Sequence, residues 1–419
     1  MLKKLKIGLN DDGLLILLGI NFAIYPLCFL LGSLIINLNT ICISILFLII
    51  IIKNKSFSIF TNKYFVLLSL LWLSFIINLF FSTNFENSLL RVIGFLRFIL
   101  LALAIKFFFE ISTDKLKHKV YLFWLVTFII ISFDLIFEYL TGQNFMGFSS
   151  PMKGRLSGFL GDELKIGHLY LGFFIICYVT FFNLTKNSFI LLLFILFGIF
   201  VSLIIGERAN FLRFISISFI FFLLFEKKNF LKKILFSLII LLVSFIVINS
   251  SNEYKVRFYG QMIEPLIKHK NPMILLENTV YGSNYDRGIK IFEKNKLFGV
   301  GINNFRIESG KDIYENKKLI FNDHGASTHP HQVHIELLSE TGIFGYLLFM
   351  LFNVFSIFFA VKNFTKNNNP YVLTTLLYFI FSLMPILPSG SFFTTFAATI
   401  FWINYGLMIS EKNNLSTDK

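Results

Sequence analysis

Apolar runs long enough to cross a bilayer recur from one end of this 419-residue chain to the other, and no other feature constrains its fold as tightly. A hydrocarbon core of about 30 Å takes about 20 residues of helix, at a rise of about 1.5 Å per residue. Inside that core each backbone amide needs a partner within its own segment or in a closed barrel, so runs of this length read as helices. We place twelve, at Leu14–Leu34, Asn39–Ile52, Phe65–Ser82, Val92–Phe109, Val120–Tyr139, Gly167–Asn183, Ser188–Ile205, Asn210–Phe225, Ile234–Ile248, Ile343–Val361, Tyr371–Leu387 and Phe392–Ile409. Leu14 to Ile52 is almost continuous, and the break at Asn37 and Asn39 divides it into two spans. Composition agrees: only 15% of residues are charged, against about a quarter in a soluble domain. The expectation is an all-α polytopic membrane protein of about twelve transmembrane helices.

A formal charge of +14 would suggest nucleic acid in a soluble protein, but here the lysines sit in short links between apolar runs. That pattern marks topology, and no nucleic acid is expected. With a cytoplasmic N-terminus, the inner links hold Lys53, Lys55 and Lys63, then Lys115, Lys117 and Lys119, then Lys186, then Lys227, Lys228, Lys232 and Lys233, then Lys362 and Lys366. A C-terminal tail with Lys412 follows, so both termini are expected on the cytoplasmic side. Lys3, Lys4 and Lys6 precede the first run without a small-residue cleavage site, which reads as a retained helix. The organisation expected is residues 1–248 as helices one to nine, 249–342 as an outer loop, 343–410 as helices ten to twelve and 411–419 as tail. Cys28, Cys42 and Cys177 all lie in apolar runs and offer neither a disulfide framework nor a metal motif.

Several outer links are almost uncharged, and arginines stand in outer links at Arg91, Arg155, Arg208 and Arg287. A planar guanidinium grips phosphate bidentately, which gives arginine a reason to stand on the face that positive charge otherwise avoids. Arg208 belongs to a polar break, Gly206-Glu207-Arg208-Ala209-Asn210, with Arg213 further into the next helix. Snorkelling to lipid phosphate would also account for Arg208. Arg97 and Lys106 are charges within an apolar run; Lys106 is placed to snorkel, and Arg97 to face the bundle interior.

The long loop holds Asp286-Arg287 and then Phe298-Gly299-Val300-Gly301-Ile302-Asn303-Asn304-Phe305-Arg306. The glycines permit a tight turn or a close backbone approach, but no dinucleotide-binding helix and acid follow. Next come His329-Pro330-His331-Gln332-Val333-His334-Ile335-Glu336, leading to Glu340 and Gly342. A histidine there can accept a hydroxyl proton near neutral pH. A metal held by His329, His331, His334 and Asp323 is a competing chemistry whose spacing matches no closed zinc signature. Asp134 near the end of its helix and Arg155-Leu156-Ser157-Gly158 complete the polar features.

In order and spelling, these segments resemble the O-antigen ligase and polymerase superfamily of bacterial envelope glycosyltransferases, over roughly Asp134 to Phe349. The matching places are Asp134 to Gly142, Arg155 to Asp162, Gly206 to Ala209, Arg287, Phe298 to Phe305 and His329 to Gly342. Gln332 stands where the family usually has Asn, and Lys296 near a frequent Pro. The resemblance implies a GT-C-like fold whose large periplasmic loop precedes the tenth helix, in the bacterial inner membrane. It also implies metal-independent, cofactor-free, inverting transfer of a glycan from undecaprenyl pyrophosphate to an acceptor hydroxyl. By match to the family's motifs, His331 is the base and Arg208 and Arg287 neutralise the pyrophosphate. Arg155, Arg213, Asp134, Glu207, Asn304 and His329 are expected to bind or orient substrate, and Glu340 to orient. The acceptor is lipid A-core in a ligase and the growing carrier-linked glycan in a polymerase; the reading leans to ligase. A lipid-linked sugar flippase is a different class, disfavoured because the sequence shows no repeat and its unusual charges gather at one face. A purely structural membrane protein would need neither His331 nor Arg287.

Overall fold

A computed structural model describes residues 11–226, 230–264, 267 and 279–410 of the chain. The expected lysines at positions 3, 4, 6, 227, 228 and 412, and the tail 411–419, lie outside the described residues. Within them the chain is helical and contains no strand. Seven helices are long and apolar enough to cross a membrane: Ser33–Lys53, Phe85–Ile111, Asp114–Thr141, Ile166–Thr185, Arg208–Phe225, Phe230–Ile248 and Val333–Asn367. Shorter apolar helices occupy Gly13–Ala23, Lys63–Leu79, Ser188–Ile204 and Pro370–Ser382, and Thr395–Met408 closes the described chain. This is a multi-pass membrane protein.

Local chemistry explains where the helices begin. Asn62, Asn84, Thr113, Asn187 and Asn369 each accept a hydrogen bond from an N–H of the first turn, which satisfies a donor the helix itself leaves open. Between helices the core is aromatic, and its polar groups pair internally. Tyr25 bonds Thr40 (2.6 Å), Tyr170 bonds Ser132 (2.9 Å) and Tyr178 bonds Ser218 (2.7 Å). A hydroxyl facing hydrocarbon would otherwise go unsatisfied.

Among the boundaries that differ from expectation, three have a visible reason. The first two spans divide at Gly32, where φ is +100°, and not at Asn37 and Asn39, which lie inside the Ser33–Lys53 helix. The fourth span begins at Phe85, because Asn84 caps it there, so Arg91 stands in the helix instead of in a link. Gln332 caps a helix at Val333, ten residues before the expected Ile343, and that helix bends at Gly342 (φ +64°). Lys106 also differs: it is buried and pairs with Glu110 and the Ile409 carbonyl instead of snorkelling. Arg97 is half-buried, donating to Gly94 (2.9 Å) and lying over the Phe98 ring.

The links sort to two ends of the bundle. At one end Lys232 bonds Ser188 (2.7 Å), Thr180 and Asn183 meet Tyr371, and Lys106 reaches Ile409. At the other end Thr83 bonds Val300 (2.9 Å), Leu156 bonds Ile205 (3.0 Å) and Ser389 bonds His331 (2.8 Å). Every motif of the resemblance lies at this second end. Over it lies an amphipathic helix, Val280–Lys294, with a small core of its own made by Ile291, Val300, Phe305 and Tyr314.

Candidate functional site

Gly206 is where the site begins. Its φ of +75° and the closeness of the Gly154 carbonyl leave no room for a Cβ, so the polar break folds flat against the Gly154-Arg155 turn. Glu207 thereby meets Arg155 in an ion pair of 2.7 Å and accepts from Asn210. Gly167 admits that carboxylate, since a Cβ there would collide with it. Arg155 also donates to the Leu164 carbonyl (2.7 Å). Arg208, the first residue of its helix, uses one nitrogen on the Arg257 and Gln261 carbonyls (3.4 and 3.2 Å). Arg257 in turn donates twice to the Gly206 carbonyl (3.3 and 3.1 Å).

Three guanidiniums, of Arg155, Arg208 and Arg257, therefore stand within Coulombic range of one another, with Glu207 as the carboxylate paired among them. Burial, together with the Arg208 and Arg155 charges, pushes Arg257 down to about 10, so it remains a cation at neutral pH. Arg213 sits deeper, 2% exposed, and binds the carbonyls of Phe381 (3.0 Å) and Leu387 (3.1 Å). Its fork joins the helix to the 383–394 link.

That link supports the histidines. The Ser389 N–H donates to the His331 carbonyl (2.8 Å), and the Ser389 hydroxyl accepts from Val333 N–H (3.0 Å). His331 is held at φ +55°, a left-handed conformation costly for a side chain of its size. Its ring lies 4.1 Å from that of His329 and edge-on to Tyr281 at 5.8 Å. Burial lowers the His331 pKa, and burial with the neighbouring His331 lowers that of His329 to about 3. Both rings are thus neutral, and His331 is free to accept a proton. His334 is not: its two nitrogens face the Leu383 carbonyl (2.7 Å) and the Tyr346 hydroxyl (3.1 Å). That removes one of the four residues considered for a metal. Tyr281 ties the histidines to the arginines, lying within Coulombic range of Arg208 and Arg257.

The remaining expected residues are placed differently. Arg287 is 3% exposed and directs its guanidinium at the Ser309 and Asn322 carbonyls, with Glu315 at 3.7 Å. Contact with a ligand would require those bonds to be given up. Asp134 is fully buried and accepts from Phe145 N–H (2.8 Å), while Glu138, one turn on, accepts from Gly158 N–H (2.7 Å). The pair fixes the loop that carries Arg155. Asn304 is also fully buried and donates to Ser82 (2.8 Å) and Val300 (2.9 Å) while accepting from Asn87 (2.9 Å). It fastens the long loop to the bundle.

His168, Arg257, Glu138 and Arg306 have no expected role from their motifs alone. His168 lies in the first turn of its helix, within Coulombic range of Glu207, Arg213, Arg155 and His331, and lines a cavity with Asn210, Arg213 and Ser389. A histidine directly after a glycine at the head of an apolar run was the available signal. Arg257 carried none, since its position depends on how the loop folds back.

Residues 191–350 match the model of a protein family described as O-antigen ligase. The match includes the polar break, Arg257, Arg287 and the histidine pair, and the resemblance seen in the sequence is shown for this stretch. A search of curated proteins finds no match.

Proposed function

From the O-antigen ligase domain at residues 191–350, we propose that the chain transfers a glycan from a polyprenyl pyrophosphate, undecaprenyl pyrophosphate in a bacterial inner membrane, to an acceptor hydroxyl at the periplasmic face. The observation that carries this is the meeting of a neutral, conformationally strained histidine with three clustered arginines across Tyr281.

The chemistry balances on these groups. The acceptor oxygen attacks the anomeric carbon and gives its proton to His331, while the bond to the pyrophosphate oxygen breaks and leaves its electron pair there. Attack opposite the leaving group inverts the anomeric configuration. Negative charge develops on the pyrophosphate, where Arg208 and Arg155 supply preorganised donors and Arg257, its fork taken up by the Gly206 carbonyl, adds its charge. Glu207 and Asn210 keep Arg155 and the break in place, and His329 packs His331 without competing for its proton. Arg287 acts through the loop it ties together, Asn304 and Glu340 through the anchoring of that loop, and Asp134 through the loop of Arg155. Arg213 holds the link behind the histidines. None of these steps calls on a metal or cofactor.

We favour ligase action on a lipid A-core acceptor, with polymerase action on a carrier-linked chain as the alternative outcome. The test is a gene deletion restored with wild type or with His331→Ala, membrane expression being verified, read as the surface polysaccharide ladder beside the lipid-linked pool. Core lipid alone with polymer held on the carrier identifies a ligase, and core bearing one repeat unit identifies a polymerase. An unchanged ladder, or full rescue by His331→Ala, contradicts the proposal.

A further inference from the structure

Arg91 and Arg306 have no place in the scheme above, yet the fold brings them together. Asn87 and Asn303 exchange hydrogen bonds, Asn87 to the Asn303 carbonyl at 2.8 Å and the Asn303 amide to the Asn87 side chain at 2.6 Å. Arg91 follows Asn87 by one helical turn, and Arg306 follows Asn303 by three residues. The two guanidiniums consequently lie within Coulombic range of each other.

Neither makes a direct ion pair there among the described residues. Arg91 donates from one nitrogen to the Phe393 carbonyl (3.2 Å), and Arg306 is exposed and makes no hydrogen bond or ion pair among the described residues. Glu336 and Glu340 lie within Coulombic range and offset part of this charge from a distance, but they are buried to within 2% and turned to other partners. Glu336 accepts from Ser391 and from Phe392 N–H (2.8 Å), and Glu340 accepts from Phe305 N–H (3.1 Å). Neither forms an ion pair with these arginines among the described residues. The two carboxylates act only from a distance, so the exposed Arg306 guanidinium, beside Arg91, is left with donors that no group among the described residues takes up. Arg306 also lies within Coulombic range of His329, while Arg155, Arg208 and Arg257 approach the histidines from the side of Tyr281. The histidine pair therefore has a cationic group on its donor side and a second one carried by different elements, the Phe85–Ile111 helix and the loop after Asn303.

We propose that Arg91 and Arg306 form a second anion site, which holds a phosphate group carried by the acceptor. The inference rests on the transferase reading and specifies its second substrate: the acceptor is a phosphorylated glycan, whether the phosphate belongs to a core lipid or to a polyprenyl carrier. A neutral sugar acceptor would leave the exposed Arg306 guanidinium without a contact partner. An acceptor phosphate held here would set its hydroxyl against His331, away from the arginines that receive the leaving group.

The experiment uses the full chain in lipid nanodiscs. Undecaprenyl-pyrophosphate-linked glycan serves as saturating donor, and three acceptors are compared: phosphorylated core lipid, the same lipid treated with phosphatase, and a carrier-linked repeat unit. Arg306→Gln is the main variant because the side chain is exposed, and Arg306→Lys tests rescue by charge. Donor binding is measured separately. We expect Arg306→Gln to raise the KM for the preferred phosphorylated acceptor by about tenfold, the scale of one charged hydrogen bond, with kcat and donor binding unchanged and with partial recovery in Arg306→Lys. Phosphatase treatment should raise the wild-type KM and abolish the difference between variants if core lipid is the source; preference for the carrier-linked unit identifies the carrier as the source. Wild type that uses all three acceptors equally, or Arg306→Gln that changes donor binding instead, overturns the inference alone. Wild type that binds no donor overturns the transferase reading and this inference with it.

Discussion

Two glycine-bearing motifs stand at the same end of the bundle and do opposite things. At Gly206–Ala209 the backbone makes room for charged side chains: Arg208 uses one nitrogen on carbonyls, and the cluster keeps an excess of positive charge. At Phe298–Phe305 the backbone makes room for another backbone. Val300 and Gly301 donate to the Ser339 and Glu340 carbonyls (3.0 and 2.8 Å), and Ile343 and Phe344 donate to Lys296 and Leu297 (2.8 and 3.1 Å). The kink at Gly342 opens helical hydrogen bonds, and this strip closes them; Asn304 then fastens it down. The lesson is that glycine spacing alone does not distinguish a ligand cradle from a backbone staple. What distinguishes them is whether the polar groups nearby remain free.

This contrast can be broken by substitution. His331→Ala should lower the transfer rate by about 100- to 10,000-fold, the usual share of a general base, with donor binding retained in a purified sample. A loss confined to binding would instead make His331 a substrate contact. Arg208→Gln belongs to the same region and should weaken donor binding by about 10- to 100-fold, the scale of one or two charge-assisted hydrogen bonds, measured as inhibition by undecaprenyl pyrophosphate. The staple should respond in stability instead. Asn304→Ala strands several buried partners and should cost about 2–4 kcal/mol, seen as a lower Tm in detergent, while the surviving folded fraction transfers normally. If Asn304→Ala leaves Tm unchanged and abolishes donor binding, the division between cradle and staple fails.

Acid provides the smallest and most graded test. His331 must be neutral to act, and burial lowers its pKa, so the acid limb of kcat/KM should fall below the ordinary histidine value of about 6.5. Stability has the opposite benefit from that shift. The unfolded chain takes up protons from about pH 6.5 downward, whereas folded His329 resists until about pH 3. Its contribution to stability is therefore present above pH 6.5 and declines across that window as pH falls. A limb above pH 7 would show that His331 gains a carboxylate partner absent from this account.

The helices were legible in the chain because bilayers demand long apolar runs. Each expected apolar segment holds helix, and the Arg155 and Gly206 segments, separate in sequence, meet through the Arg155–Glu207 pair. Boundaries were harder, since Gly32 breaks a helix by backbone angle alone and Gln332 caps one inside what reads as loop. Roles were hardest. Arg287 and Arg208 look alike as isolated outer arginines, and only the folded loop shows that one faces carbonyls of its own segment. Arg257 and His168 reach the site through tertiary contacts, for which a sequence has no spelling.

In the proposed mechanism His331 takes the acceptor proton while the arginine cluster receives the leaving pyrophosphate. Single-turnover transfer by the purified protein, with undecaprenyl-pyrophosphate-linked glycan of defined anomeric configuration, tests it most directly when wild type and His331→Ala are compared by NMR of the product. Wild type should give one inverted linkage per donor consumed, and the variant should hold bound donor that is not turned over. A product of retained configuration, or an unchanged rate in His331→Ala, would contradict it.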